Sequence, residues 1–138
     1  MEAVKTIELT KKYKDLTAVD RLNLTIESGE LFSLLGVNGA GKTTTIKMLS
    51  CLTKPTSGDA VLLGKSIVAE GTAIKEIIAV SPQETAVAPN LTVKENLELM
   101  AGVHGFSEVK SKARVAALIE QFALGEIGNK KAGKLSGG

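Results

Sequence analysis

Leu22, Leu24 and Ile26 alternate with Asn23, Thr25 and Glu27, the period of two that one buried and one wet face impose on a strand. Ser28 and Gly29 supply a turn. Glu30-Leu31-Phe32-Ser33-Leu34-Leu35 is continuous enough in apolar residues to predict a more fully buried strand. Residues 4–9 predict a further strand. Small residues and glycines fill 36–41, and a helix is predicted from about Lys42, with Ile46, Leu49 and Leu52 on its buried face. That helix stops before Pro55, and Pro55-Thr56-Ser57-Gly58 reads as a turn into a short strand over residues 60–63.

Ile77-Ile78-Ala79-Val80 predicts another short buried strand, ending at Ser81-Pro82-Gln83. Beyond it the periodicity becomes helical. Thr92-Val93-Lys94-Glu95 has the form of a capping box, and Val93, Leu97 and Met100 make one apolar stripe behind it. A second helix is predicted from after Ser107 to about Phe122, with Val109, Ala113, Ala116 and Phe122 turned inward. Strands and one helix therefore come first, over residues 1–83, and a helical segment follows over residues 84–138.

Composition narrows the class without deciding it. With 43% hydrophobic and 23% charged residues in 138, the chain is globular rather than disordered. A net charge of +2 is too small for a nucleic-acid surface. The single cysteine, Cys51, cannot form an internal disulfide, which suits a reducing cytosol and a small buried residue. No apolar run reaches the length of a bilayer span, and the first five residues lack the apolar core of a leader. Any membrane role is expected to come through a partner.

The chemistry sits at Gly36-Val37-Asn38-Gly39-Ala40-Gly41-Lys42-Thr43, which fits GxxxxGK[ST]. Glycines let the backbone curl until successive N–H groups converge on phosphate oxygens, where side chains would obstruct them. A helix starting at Lys42 adds the positive end of its dipole. Lys42 is placed to reach the β- and γ-phosphates and the Thr43 hydroxyl to ligate Mg²⁺, with Thr44 near the α-phosphate. The motif follows a predicted buried strand and opens a predicted helix, which is the context the mechanism demands.

Three further stretches accompany that loop: Tyr13 ahead of it, Ser81-Pro82-Gln83 behind it, and Leu135-Ser136-Gly137-Gly138 after the helical segment. Together and in this order they resemble the A-loop, Walker A, Q-loop and LSGG signature of ABC transporter nucleotide-binding subunits. The resemblance runs over essentially the whole chain. It implies an α/β fold: an incomplete P-loop NTPase (RecA-like) core with an N-terminal antiparallel β region and an appended α-helical subdomain. It implies ATP and Mg²⁺ as cofactors. Tyr13 would stack on adenine, while Gly36, Asn38, Gly39, Ala40, Gly41, Lys42, Thr43 and Thr44 would hold the phosphates. Thr43 and Gln83 would meet Mg²⁺, Gln83 also positioning the attacking water. Ser136, Gly137 and Gly138 would close over the nucleotide of a facing subunit, in a homodimer or heterodimer. The partner would be a transmembrane permease, with the subunit peripheral on the cytoplasmic face of the membrane and no nucleic acid expected.

In the family a Walker B strand, a catalytic glutamate, a D-loop and a histidine switch follow LSGG. Residues 1–138 hold none of them, so the full parent is expected to be an ATPase and these residues alone catalytically inactive. His104 is not the family's histidine by position, and Glu84 reads as an exposed loop acid. Strands that follow LSGG in the family would lie between the two buried strands over 30–35 and 77–80. The chain is therefore expected to be a truncated product, marginally stable alone and prone to associate through exposed edges. The stretch from Ala88 to Leu97 looks like exporter-type subunits for drugs, peptides or ions. A soluble ABC ATPase acting on nucleic acid or the ribosome is the alternative. Substrate, transport direction and membrane partner are not written in these residues.

Overall fold

The computed structural model describes residues 1–37, 39, 41–83 and 86–136. Two compact units divide the chain, Met1–Val80 and Ser81–Gly138.

The first unit is built on four antiparallel strands in the order β2-β1-β3-β4. β1 (Glu2–Tyr13) and β2 (Leu16–Glu27) form a long hairpin, closed by Lys14 and Asp15 with Lys14 at φ 49°. β3 (Ser57–Leu62) and the short β4 (Lys65–Ser66) complete the sheet. β1 contains the strand predicted over 4–9, β2 the alternating stretch, and β3 runs through Leu62 before Leu63 turns at φ 48°. The β1–β2 ladder shifts register at four places, and two of the bulges carry residues at positive φ, Glu8 (φ 47°) and Arg21 (φ 43°). Buried threonines repair it. Thr6 Oγ1 accepts from Leu24 N–H at 2.8 Å and donates to the Leu22 carbonyl at 2.9 Å. Thr10 Oγ1 accepts from Arg21 N–H at 2.9 Å and donates to the Glu8 carbonyl at 3.0 Å. Each hydroxyl thus satisfies a backbone group that the bulge would otherwise leave orphaned.

α1 (Lys42–Leu49) and α2 (Gly71–Lys75) complete the unit. Leu9, Val19, Met48, Ala60, Leu62, Ile67 and Ile74 form its core, with Cys51 half-buried against it rather than fully enclosed. The buried face of α1 is Thr45 and Met48, whereas Ile46 and Leu52, expected inside, are 48% and 69% exposed. The helix is rotated from the expected face because Met48, not Ile46, meets the sheet's apolar side.

Neither stretch expected as a more fully buried strand forms one. Residues 30–35 and 77–80 carry no strand pairing, and Leu31 and Leu35 are 97% and 89% exposed. A strand needs a neighbour to take up its N–H and C=O groups, and the described residues bring none beside either stretch.

The second unit holds α3 (Val93–Val103) and α4 (Glu108–Gln121), followed by a 3-10 turn at Ala132–Lys134. The capping box closes as expected: Thr92 Oγ1 accepts from Glu95 N–H at 3.1 Å, and the Glu95 carboxylate accepts from Thr92 N–H at 2.7 Å. Asn96 adds a clamp, accepting from Ala88 N–H at 2.8 Å and donating to the Ala88 and Thr92 carbonyls at 3.1 and 2.9 Å. α4 packs through Ser111 and Val115. Val109, Ala113, Ala116 and Phe122, expected inward, are exposed instead. Both 109/113/116 and 111/115/118 are helical stripes, and packing against α3 selects the second. No described helix is long and apolar enough to cross a membrane.

Candidate nucleotide site

The β1–β2 hairpin sets one wall. Tyr13 and Leu16 are direct partners across the turn, so their side chains leave the sheet on the same face. Ala18, the extra residue where the ladder steps from Lys12–Thr17 to Lys11–Val19, also lines the site. Opposite lies the start of α1. Tyr13, Leu16, Ala18, Gly39, Gly41, Lys42, Thr43 and Thr44 enclose a cavity of about 380 Å³, within the size range of small-molecule sites. One end is aromatic and aliphatic; the other is backbone amide, ammonium and hydroxyl.

Gly41 caps α1 at φ 87° without any side-chain hydrogen bond to the first turn. A helix start presents N–H groups with no intrahelical partner and the positive end of the dipole. Gly41 itself places no side-chain oxygen on those donors, which suits them to an anion. A Cβ on Gly41 would stand 2.2 Å from the Ala18 carbonyl oxygen, so only glycine lets the loop come this close to β2. The first intrahelical bond runs from Thr45 N–H to the Gly41 carbonyl at 2.8 Å, and the Thr45 hydroxyl donates to the same oxygen at 2.9 Å.

Lys42 Nζ donates to the carbonyls of Gly36 and, at 2.8 Å, Val37. The ammonium, with three donors, is thereby held within the loop and can exchange a carbonyl for a phosphate oxygen. Thr43 offers a hard oxygen ligand at the cavity wall, the donor type Mg²⁺ takes beside phosphate oxygens. No cluster of three or more His, Cys, Asp or Glu residues exists among the described residues. The backbone amides, ammonium and hydroxyl of the cavity are the donor types that a nucleoside phosphate with a divalent cation would meet.

Of the other expected site residues, Gln83 and Ser136 belong to the second unit. Gln83 is exposed at the start of the second unit. Ser136 is exposed just past the 3-10 turn, whose backbone is tied to the approach to α3 by Ala132 N–H to Leu91 O at 2.9 Å and Gly133 N–H to Pro89 O at 2.9 Å. Asn38, Ala40, Glu84, Gly137 and Gly138 lie outside the described residues. His104 is the exposed C-cap of α3. Sequence reasoning missed Leu16 and Ala18 as wall residues. A leucine directly across a two-residue turn from Tyr13 is the signal that could have found Leu16. The Val37 carbonyl, a backbone group, leaves no such mark.

A family model described as ABC transporter matches residues 19–138. The daunorubicin/doxorubicin resistance ATP-binding protein DrrA of Streptomyces peucetius is 38% identical over 136 residues, which cover 99% of this chain and 41% of that protein. The Nod factor export ATP-binding protein I of Burkholderia pseudomallei is 38% identical over 131 residues, 95% of this chain and 43% of its own length. The chain thus spans less than half the length of these curated relatives. Among solved structures, a dimeric ATP-binding cassette in a post-hydrolysis state with ADP and Pi superposes with a TM-score of 0.79 at 28% identity, covering 97% of this chain and 63% of that one. The loop geometry, the family match and these relatives agree: the chain belongs to the ABC transporter family.

Proposed function

We propose that this chain is the nucleotide-holding portion of an ATP-binding subunit that drives solute export through a partner transmembrane permease. The observation that carries the reading is the single cavity joining the Tyr13–Leu16 wall to the Gly41–Lys42–Thr43 loop. It has room and chemistry for a base at one end and phosphates at the other. ATP is the ligand, with Mg²⁺ met by Thr43 and by Gln83. Tyr13 stacks on the base, and Gly36, Asn38, Gly39, Ala40, Gly41, Lys42 and Thr44 take the phosphates. Ser136, Gly137 and Gly138 act on the nucleotide of a second subunit, homodimeric or heterodimeric. In this reading residues 1–83 are the β region with the partial core, and residues 84–138 the signature subdomain. Export is favoured by the names of the two relatives, a drug-resistance ATP-binding protein and a Nod factor export ATP-binding protein. The site of action is the cytoplasmic face of a membrane.

Residues 1–138 by themselves bind nucleotide without turning it over, since a water-positioning glutamate is needed in addition to the cradle. Calorimetric titration of the 138-residue chain with Mg-ATP tests this, alongside Lys42→Ala and a phosphate-release assay. We expect saturable binding, about 10- to 100-fold weaker in Lys42→Ala, in keeping with loss of a charge-assisted contact, and no released phosphate. An unsubstituted chain that fails to bind ATP overturns the reading.

A further inference from the structure

Lys11 Nζ lies 5.2 Å from the centroid of the Tyr13 ring. Two residues apart on β1, the two side chains share a face of the sheet. The same ammonium donates to the Lys54 carbonyl at 2.7 Å, in the segment that follows α1. That segment is stitched to the end of β1 again by Lys12 N–H to Thr56 Oγ1 at 2.9 Å and Thr56 N–H to Thr10 O at 2.8 Å. The Lys11 ammonium is thus held by a carbonyl and by an aromatic face. Tyr13 lines the cavity and Lys11 does not, so the ammonium meets the ring without itself being a wall of the site.

We infer that Lys11 is a positioning residue for the nucleobase end of the site: its cation–π contact and its tether to Lys54 hold the Tyr13 ring with the opposite face turned to the base. The inference rests on the nucleotide reading of the cavity. Tyr13 is 44% exposed and ends its strand, next to a two-residue turn. A free ring would lose torsional freedom on stacking; a ring already held loses less. An exposed cation–π contact is worth about two- to five-fold in an equilibrium constant, and this sets the scale of the effect.

Titration of the full 138-residue chain with Mg-ATP and, separately, with inorganic tripolyphosphate separates base from phosphate binding. Tyr13 is the sole tyrosine and there is no tryptophan, so its fluorescence reports the ring in the same samples. Lys11→Met is expected to weaken ATP about two- to five-fold and to leave tripolyphosphate unchanged. Lys11→Arg, which retains a cation for the ring, restores ATP binding. On a Tyr13→Ala background, Lys11→Met costs ATP nothing further. Equal loss for both ligands would make Lys11 a plain charge or a structural tether and overturn the inference, as would no loss for either. An unsubstituted chain that binds neither ligand overturns the nucleotide reading and this inference with it, whereas one that binds tripolyphosphate and ATP equally removes only the base end.

Discussion

The carbonyl oxygen of Ala18 occupies the space where a side chain on Gly41 would begin, 2.2 Å from the ideal Cβ position. The phosphate loop is therefore seated by direct contact with β2, and the antiparallel hairpin that supplies the base wall also positions the start of α1.

Gly41 and Gly39 make a controlled comparison. Both sit at positive φ, 87° and 85°, but Gly39 has nothing within 4 Å of its Cβ position. Gly39→Ala is expected to cost about 1–2 kcal/mol for the left-handed backbone alone. Gly41→Ala adds an overlap with backbone that has no rotamer to yield, for about 3 kcal/mol or more in all. Urea unfolding of the two variants measures the difference. Gly41→Ala is also expected to abolish ATP binding, since relieving the overlap must move the loop from β2. Equal stability losses would mean that the close approach to Ala18 is not maintained in solution.

How much of this could be seen in the sequence depends on which atoms do the work. A phosphate cradle is made of backbone, so it constrains residue type at fixed spacing, and Gly36 through Thr43 could be picked out from that spacing. The capping box was legible for the same reason, because both partners are three residues apart on one chain. The wall residues Leu16 and Ala18 owe their place to hairpin register, which shows only once the two-residue turn after Tyr13 is recognised. Helix faces failed where two stripes competed. In α4 the buried stripe contains Ser111, which a count of apolar residues passes over in favour of Val109. The bulges at Glu8 and Arg21 were hidden because Thr6 and Thr10, polar by type, are buried there as substitutes for ladder bonds.

Cys51 offers a pH-dependent readout of the core beneath α1. Burial pushes its thiol up, and the nearby Lys75 ammonium pulls it part of the way back. A group raised in the folded state keeps its proton to higher pH than the unfolded chain does. The stability this adds is fully present below the ordinary thiol range and is lost as pH rises through the folded value. Cys51 is the sole cysteine, so the pH profile of iodoacetamide labelling reports it alone. The midpoint is expected above that of the urea-unfolded chain, and higher again in Lys75→Met, which removes the charge favouring the thiolate. A midpoint that falls in Lys75→Met would show that Lys75 does not face the thiol.

Leu31 and Leu35 bear on how the chain behaves in water. They lie 97% and 89% exposed, with Phe32 at 41%, on a stretch without strand pairing. Exposed apolar side chains beside unpaired backbone groups form a template for adding another strand. The chain is therefore expected to associate as its concentration rises, and sedimentation velocity over a dilution series measures this. Leu31→Glu combined with Leu35→Lys should shift the distribution toward monomer, because a strand added there would have to desolvate charge. Both side chains are already in water, so the same pair of changes should move unfolding stability by no more than about 0.5 kcal/mol. Association that survives the double substitution would place the contact on another surface, and a large loss of stability would mean that these leucines are covered in solution.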